Sequence, residues 1–229
     1  MNRARSIIIS AKNEGRSTLD LAEAREVAED IGIKMNKAII AKNREEAIKN
    51  AEKIGYPVAM KIVSPQIIHK TEAGGILINL NNKKEVAEGY EKILKSVMNY
   101  DPKAKIKGII VEEMIKGTEL IVGTAIDQQF GKMIMFGIGG IFVEVYKDVS
   151  FRIIPINEED AKEMIEEIKG KAIFEGARGL PKADKKEIVD ILLKVSNAVE
   201  KIEEIKEMDI NPLIVTKDGL RAVDARFVI

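Results

Sequence analysis

A polar connection, Asp101-Pro102-Lys103-Ala104-Lys105-Ile106-Lys107, divides this sequence into two blocks that each mix helices with strands, and the division limits the fold to two α+β lobes. In the first block Ser17-Thr18-Leu19-Asp20 is a helix-capping signal, and the helix it opens runs through Leu21, Ala24 and Val27 to a stop at Gly32. Arg44 to Ile54 places Ala47, Ile48, Ala51 and Ile54 on one helical face and ends at Gly55. Pro57 then starts a strand, Val58-Ala59-Met60-Lys61-Ile62-Val63; a second strand follows at Gly75 to Leu80, and Lys83 to Met98 reads as a helix with Val86, Tyr90, Ile93, Leu94 and Val97 inward. In the second block Gly108 to Met114 is a strand running into a hinge. Strands at Thr118–Ile126, Lys132–Ile138 and Val149–Ile154 precede helices at Glu158–Lys169 and Lys185–Ile202, capped by Asn157 and Asp184, and a final hairpin closes the chain. The expected division is a helical segment over 1–35 packing on the larger lobe, a small lobe over 36–108 and a large lobe over 109–229.

Composition excludes several function classes. Lysine plus arginine and aspartate plus glutamate are 37 each, so no net field recruits nucleic acid or an anionic membrane. With no cysteine and one histidine there is no disulfide, no thiolate nucleophile and no His or Cys metal cluster. Any metal must sit among oxygens. The apolar run after Arg5 is too short for a signal peptide, and Met133 to Val143 is broken by Gly137, Gly139 and Gly140, so a soluble cytoplasmic protein is expected. Abundant charge and isoleucine fit a heat-adapted organism.

The single histidine, His69, lies in Ile67-Ile68-His69-Lys70-Thr71-Glu72-Ala73-Gly74-Gly75. Imidazole can be neutral, and so nucleophilic, near pH 7 without a large pKa shift. Lys61 supplies a charge for phosphate, and Gly74 and Gly75 let backbone N–H groups approach phosphate oxygens. A lone turn histidine can equally be an ordinary surface residue.

The C-terminal hairpin offers a site for a hard cation. If Thr216-Lys217-Asp218-Gly219 closes it, Val215 faces Leu220, Leu213 faces Ala222, Asn211 faces Asp224 and Asp209 faces Arg226. Asn211, Asp224 and Asp209 then share a face, and carboxylate plus amide oxygen suits Mg²⁺. The plain alternative is a polar hairpin in which Asp209 pairs with Arg226. Glu112, Glu113 and Met114 lie where a crossing chain can present backbone groups to a flat base, and Glu119 could accept from ribose hydroxyls. Arg152 could steady a transferred phosphate or pair with a nearby acid. Phe136-Gly137-Ile138-Gly139-Gly140-Ile141-Phe142 lacks the last glycine of a dinucleotide fingerprint, so a Rossmann site is rejected, while a glycine loop admitting another backbone or a phosphate remains.

The order Gly55-Tyr56-Pro57-Val58-Ala59-Met60-Lys61-Ile62, Ile68 to Gly75, Val111-Glu112-Glu113-Met114, Phe136 to Val145, and Asp209-Ile210-Asn211-Pro212-Leu213 with Val223-Asp224-Ala225 closely resembles the ATP-grasp β subunit of archaeal ADP-forming acetyl-CoA synthetases, from about Glu14 onward. The hairpin is also similar to that of the succinyl-CoA synthetase β subunit. The resemblance implies an ATP-grasp fold, two α+β lobes clasping a nucleotide. It implies that His69 is transiently phosphorylated, that Lys61 binds nucleotide phosphate, that Glu112 to Met114 form the adenine hinge, that Glu119 binds ribose, and that Asn211 and Asp224 hold Mg²⁺. Roles for Glu144 and Arg152 follow less directly. Lys34-Met35-Asn36-Lys37 departs from the Gly-Ile-Pro-x-Pro type run of the family.

By the same resemblance, a CoA-binding α subunit makes an acyl phosphate, takes the phosphoryl group on its own histidine and passes it to His69, which gives it to ADP to make ATP, reversibly. This chain has no CoA-binding module, so an α partner is required, two of each chain assembling together. Three other readings compete: a subunit for another acyl-CoA synthetase (succinate, branched or aryl acids), a module that senses ATP and ADP without turnover, and a non-nucleotide interaction protein, which Asn211 and Asp224 on opposite faces of the hairpin would favour. The carboxylate that orients His69 is not identified by the sequence.

Overall fold

A computed structural model describes residues 2–140, 143, 145–176 and 179–229. The chain forms two compact units, one of Asp20–Ala22 with Asn36–Met114, the other of the residues up to Leu19, Glu23–Met35 and Ile115–Ile229. Among the described residues no helix is long and apolar enough to cross a membrane.

The smaller unit is a four-stranded antiparallel sheet, order β1-β4-β2-β3, where β1 is Ala38–Ala41, β2 Val58–Val63, β3 Ile76–Leu80 and β4 Gly108–Glu113. Helices α3 (Arg44–Ile54) and α4 (Lys83–Tyr100) cover one face. Asn43 and Asn82 cap them, their side chains accepting from the N–H groups of Glu46 and Glu85. Helix α4 buries Val86, Tyr90, Ile93 and Val97, one stripe at helical spacing, and such fully buried apolar side chains stabilise by about 1.5–3 kcal/mol each. Every residue of β2 is buried. Val58, Met60 and Ile62 join the helix-side core, so Ala59, Lys61 and Val63 point to the other face.

The expected boundary after residue 108 is corrected: β4 pairs with both β1 and β2, which ties it to the smaller unit through Met114. Strand β1 itself was not foreseen. Its four residues carry no pattern of their own, and they are strand because β4 offers them an edge.

The larger unit has the sheet order β10-β8-β5-β6-β7, with β9 also on β8. Here β5 is Thr118–Asp127, β6 Gly131–Ile138, β7 Val149–Ile153, β8 Glu207–Thr216, β9 Gly219–Ala222 and β10 Ala225–Val228. Helices α1 (Asn2–Asn13), α2 (Leu21–Asp30), α5 (Glu158–Glu167) and α6 (Lys185–Lys201) contribute to a core with Leu120, Val122, Ile134, Phe136, Met208 and Ile210. The opposite face of that sheet therefore carries the alternate residues Glu119, Ile121, Gly123, Met135 and Asp209. The second hairpin strand is not continuous as expected; it breaks at Val223-Asp224 into β9 and β10.

Candidate functional site

In the smaller unit the sheet face away from α3 and α4, against which Leu21 and Ala22 pack, holds a charged pair. Lys61 Nζ lies 2.7 Å from Glu112 Oε1, with side chains only 9% and 2% exposed. The register pairs Ala59 with Glu112 and Lys61 with Ile110, so the two are diagonal neighbours on β2 and β4. Glu112 lies between Ala38 of β1 and Ala59 of β2, with its carboxylate facing Lys61. Glu113 is also engaged: its N–H donates to Lys37 O at 2.8 Å, and its carbonyl accepts from Asn36 Nδ2 at 3.0 Å. Met114 is the last residue of this stretch, and its Sδ accepts from Asn79 N–H at a bulge of β3, where Asn79 has φ 58°.

The histidine segment is a single helical turn. Ala73 N–H donates to His69 O, Gly74 N–H to Thr71 O and Gly75 N–H to Lys70 O, the last two forming a Schellman closure with Gly74 in the left-handed region at φ 64°. A Cβ on Gly75 would stand 2.6 Å from Ile62 Cγ2, so only glycine lets the turn lie against β2. Buried Ile67 and Ala73 anchor the segment at either end, and His69 between them has a side chain 71% exposed. Glu72 Oε1 is 3.9 Å from His69 Nδ1, too long for a hydrogen bond. The turn thus presents an accessible imidazole on a locally closed backbone.

In the larger unit the hairpin register is the one read from the sequence. Val215 faces Leu220, Leu213 faces Ala222 and Asp209 faces Arg226, while Asn211 N–H donates to Asp224 O at 3.2 Å. On the other side of β8, the four residues Ile210 to Leu213 span only three on β5, Val122 to Leu120. The resulting bulge at Asn211-Pro212 accommodates a proline inside a paired strand. Asp209 is held above the ordinary carboxylate pKa, first by burial, with the charge of Asp224 adding and that of Arg226 opposing. Asp224 is therefore within electrostatic reach of Asp209. Among the described residues no three His, Cys, Asp or Glu side chains gather, so an ion here would rest on two carboxylates and the Asn211 amide. That all-oxygen donor set fits Mg²⁺, which also keeps waters.

Asp209 and Arg226 also line a concavity of about 400 Å³ with Gly123, Met133, Met135 and Phe151. The sequence did not point to it, since its wall is built from five strands. Glu119 sits beside the glycine loop: Gly139 N–H donates to Glu119 O at 2.7 Å, and a Cβ on Gly139 would meet Glu119 Cβ at 3.1 Å. The close approach Gly139 permits is to the β5 backbone, while Gly137 lies against Asp148 O and Val149. Ile141, Phe142 and Glu144 lie outside the described residues. Arg152 makes the pairing with nearby acids that the sequence allowed: its guanidinium bonds Glu167 at 2.7 Å and Glu163 at 3.1 Å, both on α5, and these carboxylates raise its pKa further.

The ATP-grasp domain family matches residues 10–229. The chain is 48% identical to "Acetate--CoA ligase [ADP-forming] I subunit beta" of Pyrococcus furiosus, over 99% of this chain and 98% of that protein. It superposes with a TM-score of 0.91 and 41% identity on a dinucleotide-forming acetyl-coenzyme A synthetase 1 of Ca. Korarchaeum cryptofilum in complex with coenzyme A, Ca-AMPCP and HgCl+, covering 99% of each chain. A second structure of that synthetase, in complex with coenzyme A and Mg-AMPPCP and with its "phosphohistidine segment pointing towards nucleotide binding site", gives 0.84 and 38%, again over 99% of each chain.

Proposed function

Since the chain belongs to the ATP-grasp family of ADP-forming acetate–CoA ligase β subunits, we propose that it carries a phosphoryl group on His69 and exchanges it with ADP and ATP. The observation that carries this reading is the exposed imidazole at the tip of a turn closed by Gly74 and Gly75, in the same unit as the buried Lys61. In the direction of ATP use, a neutral imidazole nitrogen attacks the γ-phosphorus in line; an N–P bond forms and the bond to the β-γ bridging oxygen breaks, leaving ADP. In the direction of synthesis a terminal ADP oxygen attacks the phosphohistidine, the N–P bond breaks and neutral imidazole returns.

Lys61 offsets charge on the phosphate oxygens, Met114 with the adjoining backbone meets the base, and Glu119 accepts from ribose. Asn211 and Asp224, with Asp209 beside them, would hold Mg²⁺, which when bound supplies charge neutralisation at phosphate. The acyl phosphate must come from a CoA-binding α subunit, and we place two of each chain in the assembly. The acid is acetate in this reading, because the close relative is an acetate ligase.

The test is ATP formation from acetyl-CoA, phosphate and Mg-ADP. The chain alone should make none, and addition of the CoA-binding subunit from the same organism should restore turnover. Turnover by that subunit without this chain would contradict the proposal, as would a mixture that forms ATP only with a longer or aromatic acyl-CoA for acetate as the acid.

A further inference from the structure

On the open face of the larger sheet the strand pairings set polar residues in rows. Glu119 of β5 lies opposite Ile214 of β8. Four residues along β5, about 13 Å away, Gly123 lies opposite Asp209, which in turn faces Arg226 of β10. Asn211 and Asp224 fall between those rows, joined by the bond from Asn211 N–H to Asp224 O. The order along the face is therefore Glu119, then Asn211 with Asp224, then Asp209 with Arg226. With ribose at Glu119 and Mg²⁺ at Asn211 and Asp224, that order points the phosphate chain toward Arg226. We propose that Arg226 binds the terminal phosphoryl group of ATP, the group that is transferred; this rests on the nucleotide-binding reading above.

Three observations support it. Among the described residues the exposed Arg226 side chain makes no hydrogen bond and no ion pair, although Asp209 faces it across the strand pairing and attracts it from a distance. A guanidinium stays charged and offers five N–H donors in a planar fork that matches phosphate oxygens, and here that fork is uncommitted. Arg152, by contrast, is engaged by Glu163 and Glu167 on the helix-covered face, where it pairs with buried Ile134. Second, among the described residues Arg226 is the sole basic side chain lining the concavity, whose other charged residues are Asp127, Glu207 and Asp209. Without Arg226 a polyanion extending past the metal ligands would meet only like charge. Third, the concavity continues beside Arg226 to Met133, Met135 and Phe151, so an attacking or leaving atom in line with the phosphorus has room there.

The experiment titrates the whole chain, Arg226→Met and Arg226→Lys with Mg-ADP and with Mg-bound β,γ-methylene-ATP by calorimetry, and records a thermal melt of each. The analogue carries a terminal phosphoryl group that cannot be transferred, so binding alone is read. Arg226→Met should weaken the analogue by roughly tenfold or more, as loss of a charge-assisted contact does, and leave ADP within about twofold. Arg226→Lys, which keeps the charge without the fork, should recover part of that loss. The Mg²⁺ titration midpoint for ADP should stay in place in both variants, because Arg226 meets phosphate and not the ion. The melts should match the parent's, since this side chain gives up no hydrogen bond or ion pair.

Full affinity of Arg226→Met for the ATP analogue would overturn the proposal. Equal losses for the analogue and ADP would also overturn it, by placing the guanidinium at the inner phosphates or, with a lowered melt, by giving it a structural role. A shifted Mg²⁺ midpoint would do the same, by showing that Arg226 acts through the metal ligands. A parent chain that binds neither ADP nor the analogue would instead remove the nucleotide reading itself, and this proposal with it.

Discussion

Gly75→Ala is the sharpest test of how the His69 turn is held. The added Cβ would lie 2.6 Å from Ile62 Cγ2, inside the buried face of β2, and 3.2 Å from Lys70 O, which closes the turn. The backbone at Gly75 needs no left-handed conformation, so the cost comes from crowding alone. Crowding a packed interior by one methyl costs about 1–3 kcal/mol, and the entropy gained by replacing glycine returns about 0.4–1 kcal/mol, leaving a net loss of about 1–2 kcal/mol. With a urea slope of about 1–3 kcal/mol per molar, the unfolding midpoint should fall by roughly 0.3–2 M. Gly123→Ala is the matched control. Its nearest atoms would be Met135 Cε at 3.4 Å and Met208 O at 3.7 Å, ordinary contacts, so its midpoint should hold or rise. Circular dichroism during urea titration reads both, and phosphorylation of the Gly75→Ala chain by labelled ATP should also slow, because relief of the clash moves the turn that carries His69. A Gly75→Ala midpoint equal to or above the parent's would refute the close approach and the rigid turn built on it.

Other outcomes follow from the same geometry. Arg152→Ala should leave nucleotide affinity within about twofold while lowering stability by about 0.5–1 kcal/mol, since its partners Glu163 and Glu167 lie on α5 and are partly exposed; a calorimetric ADP titration beside a thermal melt checks this, and a tenfold affinity loss would return Arg152 to the phosphate. Asn211→Ala and Asp224→Ala should each weaken the Mg²⁺ dependence of ADP binding by about 10-fold to 100-fold, seen as a shifted Mg²⁺ titration midpoint, with little change in binding measured without the ion.

Local chemistry was legible in the sequence and long-range pairing was not. The caps at Asn157 and Asp184 are written in short polar side chains ahead of an apolar stripe, and each accepts from the first turn of its helix. The hairpin register followed from one turn, because counting outward from Thr216–Gly219 meets no net insertion between the two arms. The bulge against β5 is invisible to that count, since it depends on a strand some ninety residues earlier, and so is the mutual break at Val223-Asp224. The same limit hid the Lys61–Glu112 pair. One glutamate in Val111-Glu112-Glu113-Met114 resembles the next until β2 pairs with β4 and turns Glu112 toward Lys61. Arg152 likewise gained its role only when β7 was laid beside α5.

The central claim is that His69 bears the phosphoryl group. Incubating the chain with Mg²⁺ and ATP labelled at the γ-phosphate, followed by acid and alkali treatment, tests it directly. The account predicts acid-labile, alkali-stable label on the parent chain and none on His69→Ala at unchanged nucleotide affinity. Label that survives in His69→Ala, or a parent chain that binds ATP yet takes no label even beside its CoA-binding partner, would contradict it.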